Sequence, residues 1–200
     1  MGRRMTLRGS WTTEFGQPST EGVIGGRLIF EYESPNRSRG WKVKDAYVWI
    51  QEATGLGGGD ARALWQVALL TDQIDSTQAK ITNIDTANRY QSCLGAGDNR
   101  SVAWMTCDML IRDAVDSDWI VPHGATSPTQ CRMIVDEDRI ITNELYILSY
   151  GLSEAQNYSY VANYYIVLEE VKLTSTESVF NQIKGIGQDI DHPFNGFPTS

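Results

Sequence analysis

Apolar and polar positions along the chain alternate in short pieces of roughly ten residues, broken by glycine, proline and acidic turns, which is the rhythm of an all-β chain. The two longest pieces come late. Arg139-Ile-Ile-Thr-Asn-Glu-Leu-Tyr-Ile-Leu-Ser149 and Tyr160-Val-Ala-Asn-Tyr-Tyr-Ile-Val-Leu-Glu-Glu-Val-Lys-Leu173 are rich in Ile, Val, Leu and Tyr and read as long strands of a packed sheet. Six further strands are expected at Gly26 to Glu33, Trp41 to Glu52, Arg62 to Leu70, Ser101 to Ile111, Trp119 to Val121 and Cys131 to Val135, making eight. Within the second of these, Trp41 and Val43 fall on one face and Ala46, Val48 and Ile50 on the other, so that strand is expected to be covered on both sides. The breaks are loops by composition: Ser34 to Gly40, Thr54 to Asp60, Leu94 to Asn99, Pro122 to Gly124 and Asp136 to Asp138. Asp72 to Gln91, polar with spaced Ile74, Ile81 and Ile84, fits either a short strand or a long surface loop.

The two ends read differently. Residues 1–25 are rich in Gly, Ser, Thr and Arg with little periodicity and are expected to form an extended arm, ordered only where something covers it. At the other end, Thr174-Ser-Thr-Glu177 has the form of a capping box, and an apolar stripe follows at helical spacing through Val179, Phe180, Ile183 and Ile186. A helix over 175–187 would have to bury that stripe against the sandwich or against another subunit. The organisation is therefore an arm over 1–25, one β-sandwich over 26–173, and a helix with a tail over 174–200.

Charge changes the picture at the N-terminal end. The net charge is −8, yet residues 1–44 carry eight Lys/Arg against four Asp/Glu (+4), leaving nine against twenty-one (−12) for the rest. Arg3, Arg4 and Arg8 are the densest positive charge and the candidate phosphate contacts, with Arg37, Arg39, Lys42 and Lys44 as helpers if they share a side. The acidic remainder should repel nucleic acid. With no signal-peptide pattern and no apolar run near membrane-spanning length, the chain is expected to be made in the cytoplasm and to contact no membrane. Its sequons at Asn36, Asn99 and Asn157 are then chance matches.

Candidate chemistry is sparse. Cys93, Cys107 and Cys131 are odd in number and lack zinc-site spacing. Gly55, Gly57, Gly58 and Gly59 lack the Lys-Ser/Thr of a phosphate loop and precede a strand, so they read as a hairpin loop. His123 and His192 have no spacing to a nucleophile, and no enzyme is expected. The acidic turns Asp136-Glu-Asp138 and Asp113, Asp116, Asp118 offer oxygen ligands of the kind calcium takes, without matching an EF-hand; no other cofactor is expected. Trp41, Tyr47, Trp49, Trp65, Trp104 and Trp119 lie in or beside strands, where core packing is the default and subunit contacts or a carbohydrate- or receptor-binding platform are the alternatives.

Asp136-Glu-Asp-Arg-Ile-Ile-Thr-Asn-Glu-Leu-Tyr-Ile147, then Asn163-Tyr-Tyr-Ile-Val-Leu-Glu-Glu170, then a short helix ending near Gln188-Asp189, resembles the closing section of single jelly-roll capsid proteins of small viruses, particularly those with circular single-stranded DNA. The resemblance implies an all-β fold: an eight-stranded antiparallel jelly-roll sandwich with an extended N-terminal arm and a short C-terminal helix. It implies a virion structural protein whose partner is itself, in an icosahedral shell around a genome. Eight strands is the number a jelly roll needs. Proteins of this kind carry a long basic arm, here reduced to three arginines in the first nine residues.

Overall fold

The computed structural model describes residues 2–15, 23–32, 38–55, 61–71, 100–113, 120–123, 131–153, 158–174 and 176–177. Among them are nine strands: β1 (Arg4–Phe15), β2 (Val23–Glu31), β3 (Arg39–Gly55), β4 (Ala61–Leu70), β5 (Ser101–Asp113), β6 (Ile120–His123), β7 (Ile134–Val135), β8 (Glu144–Ser153) and β9 (Tyr158–Lys172). All pairing is antiparallel. The hydrogen-bonded order is β1-β9-β3-β6-β5-β4-β8-β2, with β7 beside β5. The chain runs out through β1 to β4 and returns by pairing with itself in reverse: β4 with β5, β3 with β6, β2 with β8 and β1 with β9.

The two halves of this order, β1-β9-β3-β6 and β5-β4-β8-β2, lie face to face as a sandwich. Side chains of strands that are not ladder neighbours meet across the interior. The Trp65 ring of β4 stands edge-on to Tyr160 of β9 with centroids 5.8 Å apart, and Trp11 of β1 donates its indole N–H to Ser149 Oγ of β8 at 3.2 Å. Every second residue of β9, from Tyr160 through Ala162, Tyr164 and Ile166 to Leu168, is buried in the shared core, as are Ala63, Trp65, Val67 and Leu69 of β4 and Leu145 and Ile147 of β8. That period of two is what a pleated strand with one core face requires. A second apolar cluster lies on the opposite face of the β4–β8 pair, where Ala68, Leu70, Leu148 and Tyr150 are buried and Leu64, Trp104 and Tyr146 pack against them.

The eight expected strands appear as β2 to β9, with ends shifted by a few residues; β7 keeps only Ile134–Val135 of its expected span. Two expectations need correction. β3 is not apolar on both faces: the register shifts between Val43 and Asp45, and the extra residue there flips the alternation, so that Trp41, Val43, Ala46, Val48 and Ile50 all enter the same core. Nor are residues 1–25 simply an arm. Arg4–Phe15 is a sheet strand paired with β9 from Arg4↔Glu169 to Phe15↔Tyr158, and Val23–Gly25 begin β2. Met5, Leu7 and Trp11 point inward on alternate positions, and the one gap in that alternation, Gly9, is occupied from across the ladder. A Cβ at Gly9 would stand 2.6 Å from the Tyr164 hydroxyl, so the glycine makes room for the ring.

The placement of Trp11 separates a structural strand from an arm. Trp11→Ala removes a nearly buried indole and its bond to Ser149, and should lower unfolding stability by about 3 kcal/mol or more. An arm lying on the surface would leave the urea midpoint within roughly 0.5 kcal/mol of the parent.

Candidate nucleic-acid interface

Because Met5, Leu7 and Trp11 of β1 face the core, Arg4, Thr6, Arg8 and Ser10 face away from it. The same parity turns Val161, Asn163, Tyr165, Val167 and Glu169 of β9 outward, and the bulge in β3 turns Asp45, Tyr47 and Gln51 outward beside them. Residues directly opposite in an antiparallel ladder project to the same side, so the outer face of β1-β9-β3 is built in transverse rows. One row runs Arg8, Tyr165, Tyr47 and Arg132, the last joined to Tyr47 by an isolated bridge. The Tyr47 and Tyr165 rings are 6.3 Å apart and tilted by 55°, and Tyr165 is 41% exposed.

Polar contacts fix this face. Arg132 Nε donates to Asp45 Oδ1 at 2.8 Å and Tyr47 donates its hydroxyl to Asp45 Oδ2 at 3.0 Å, so one carboxylate holds both side chains. The hydrogen bond to Asp45, reinforced by burial, raises the Tyr47 phenol above its ordinary value and keeps it neutral at physiological pH. Asn163 donates to Gln51 Oε1 at 2.9 Å. Nearer the start of β1, Glu169 lies between Arg4 at 3.7 Å and Lys44 at 3.5 Å. These are exposed pairs, worth little to stability individually, but they set the local charge.

The three candidate arginines are thus divided. Arg4 and Arg8 share the outer face. Arg3 has the opposite parity; its carbonyl accepts the Glu170 amide at 2.8 Å. With Gly2, Arg39, Glu170, Val171 and Lys172 it lines an open hollow of about 370 Å³ at the end of the ladder. Arg39 donates to Glu170 Oε1 at 2.9 Å, a bond that raises its pKa further. Lys42 donates to the Glu137 carbonyl at 2.8 Å. Arg37 lies outside the described residues. Sequence reasoning missed Tyr165, Tyr47 and Arg132 as members of this surface, because only register places them beside Arg8.

The remaining candidates fall as follows. Asp136 Oδ1 accepts the Asp138 amide at 3.0 Å, so that carboxylate closes its own turn; the Asp113 side chain, Asp116 and Asp118 lie outside the described residues, among which no three metal-type ligands come together. Cys107 is a half-buried free thiol and Cys131 is buried in the core. Burial, with a smaller contribution from Cys107, pushes Cys131 up to about 11, and burial raises Cys107 as well, so neither is a thiolate at neutral pH. Trp11, Trp41 and Trp65 are core residues and Trp49 and Trp104 pack against the two clusters, which leaves no open tryptophan platform among the described residues.

At the C-terminal end the capping box is formed. The Thr174 amide and hydroxyl both donate to Glu177 Oε2, at 2.9 and 2.8 Å, while the Glu177 amide donates to Thr174 Oγ1 at 3.3 Å. Thr176 and Glu177 are helical; Val179, Phe180, Ile183 and Ile186 lie outside the described residues. The bond from the Thr174 amide, then that from its hydroxyl, holds the Glu177 carboxyl below its ordinary value. The unfolded chain therefore binds the proton more readily, and the cap's contribution is present above pH 4.5 and lost as pH falls through the lowered folded value. Thr174→Ala should accordingly lose less stability than the parent on acidification through that range, measured by urea midpoints on either side of it.

No helix among the described residues is long and apolar enough to cross a membrane. No protein-family model matches the chain, and no curated protein matches it. Among solved structures it is similar to the decameric BFDV capsid protein, at 16% identity with a TM-score of 0.29, covering 84% of this chain and 99% of that one. It is also similar to the 60-mer form of the BFDV capsid protein, at 15% identity with a TM-score of 0.28, covering 86% and 94%.

Proposed function

We propose that this chain is a viral capsid protein: a single jelly roll that assembles with its own copies into a closed symmetric shell around a genome, without enzymatic activity. The observation that carries the fold part of the reading is the pairing scheme. A chain whose outgoing strands β1 to β4 pair in reverse with its returning strands is one long antiparallel hairpin, and rolling that hairpin up gives two four-stranded sheets, β1-β9-β3-β6 and β2-β8-β4-β5. This scheme supports reading the fold as the double Greek key of a jelly roll, with β7 as an addition at one side. The shell part rests on the resemblance of the Asp136–Ile147 and Asn163–Glu170 stretches to capsid proteins and on the sparseness of catalytic chemistry. The genome part rests on Arg4 and Arg8 on one face and Arg3 at its end.

Shell interfaces are large, and obligate contacts commonly bury thousands of Å² in total. Electron microscopy of the purified protein should show closed particles of uniform size, with a matching mass by native mass spectrometry. A chain that sediments as a monomer across wide ranges of concentration, salt and pH would defeat the reading. The carbohydrate-binding alternative predicts monomers or small oligomers.

Genome contact in such a shell is weak per copy. Two or three arginines neutralise few phosphates, so binding by a single subunit should be steeply salt-dependent, and only many copies acting together make it effective. Replacing Arg3, Arg4 and Arg8 together with Ala should reduce the nucleic acid that co-purifies with particles, read as the ratio of absorbance at 260 and 280 nm, while the melting temperature stays close to the parent's. Particles of the variant carrying as much nucleic acid as the parent would remove the three arginines from the genome contact.

A further inference from the structure

We propose that the outer face of β1-β9-β3 is a stacking platform for the bases of a single-stranded nucleic acid, with Tyr165 as the platform and Arg8 as its phosphate contact. The proposal rests on the genome-contact reading above and gives it a site and a ligand form. Three observations point to it. Tyr165 is a large hydrophobic side chain left open to solvent, 41% exposed on a strand whose alternate residues are fully buried. It stands in a row whose outer members are cationic, Arg8 on one side and Arg132 beyond Tyr47 on the other. Arg8 is exposed and makes no hydrogen bond or ion pair among the described residues, whereas Arg4, Arg39, Lys44 and Arg132 are each committed to a carboxylate.

An open aromatic ring between cations is the combination that binds single strands, because every base has a π-face to stack and every nucleotide a phosphate to pair. The surface around Tyr165 is mostly polar, which disfavours a purely apolar protein partner. Beside Tyr165 stand Thr6, Arg8, Ser10, Asp45 and Asn163, with Tyr47 in its own row and Val167 and the half-buried Trp49 in the two adjacent rows. Tyr47 is held in place by its bond to Asp45, so the ring beside Tyr165 is preorganised. The Asn163–Gln51 amide pair beside the platform uses one donor and one acceptor on each other, leaving amide donors and acceptors for a base edge. A duplex, whose bases are already stacked, has no face to offer.

The test uses the full-length chain and fluorescently labelled oligonucleotides of equal length: a thymidine single strand, an abasic single strand and a duplex. Tyr165→Ala should weaken binding of the thymidine strand about tenfold, with the slope of log affinity against log salt unchanged, and should leave the abasic strand and the duplex untouched. Tyr165→Phe should restore binding, since the ring and not the hydroxyl carries the stack. Arg8→Ala should instead reduce the salt slope by roughly 0.7 for every single strand. In the assembled state, a strand carrying 5-iodouracil should cross-link photochemically to Tyr165. Equal losses for thymidine and abasic strands on Tyr165→Ala, or no loss, would overturn the platform. So would a Tyr165→Ala chain that binds normally but no longer assembles, which would make the face a contact between subunits. Closed particles without single-strand binding would sink this proposal and leave the shell reading standing; single-strand binding by a chain that never assembles would do the reverse.

Discussion

The fold depends on β9. It is hydrogen-bonded along both edges, to β1 from Tyr158 to Glu169 and to β3 from Tyr158 to Lys172, and its inward residues form the floor on which the opposite sheet rests. Trp65 meets Tyr160 edge-on, and Tyr164 both fills the space left at Gly9 and stands 6.1 Å from the Trp11 ring. A strand in that position cannot slip: a shift of one residue would carry Tyr160, Ala162, Tyr164, Ile166 and Leu168 out to water and bring Asn163 and Glu169 into the core. Because β1 and β3 take their register from β9, the side chains they present outward are fixed by the same constraint. Arg8 is beside Tyr165, and Tyr165 beside Tyr47, because the core permits no other alignment.

Most of the strands were legible in the sequence because each carries its own signal, a run of β-branched and aromatic residues between breaking residues. β1 was not, for a physical reason that its residues make plain. Its inward positions are Met5, Leu7, Gly9 and Trp11, and the glycine interrupts the alternation at the point where the pattern would have become recognisable. Its outward positions are Arg, Thr and Ser, which read as a polar tail. What compensates at Gly9 is a tyrosine 155 positions away, and what holds Trp11 is a serine 138 positions away; neither is visible to any window of sequence. The two-faced reading of β3 failed similarly, because a bulge is a feature of pairing and leaves no mark in composition.

The candidate site was legible in part, and along the same divide. Arg4 and Arg8 stood out as charge in an otherwise acidic chain. Tyr165 was hidden inside an apolar run, where it looked like one more core residue, and only the parity of β9 shows that it faces away from Tyr164 and Ile166. Arg132 and Asp45 are 87 positions apart and meet because Arg132 bridges to Tyr47. Charge density is a property of the sequence; a surface is a property of register.

The position of β1 at the end of the hydrogen-bonding order raises the question of its free edge. An unpaired edge strand is a template for further pairing, and folded proteins commonly blunt it. The other terminal strand in the order, β2, supplies part of the answer: Arg27 Nη1 donates to the Ser10 carbonyl at 3.0 Å, so the two ends of the order meet at the side of the sandwich and one edge carbonyl is taken up by a charged donor. A guanidinium at that place also disfavours a neighbouring strand, which would have to desolvate the charge to pair there. The consequence is a division of labour within a single strand. The inward residues of β1 lock it to β9 and the opposite sheet, its edge is guarded in part by Arg27, and its outward residues, carrying no packing duty, are polar at every second position, with charge at Arg4 and Arg8.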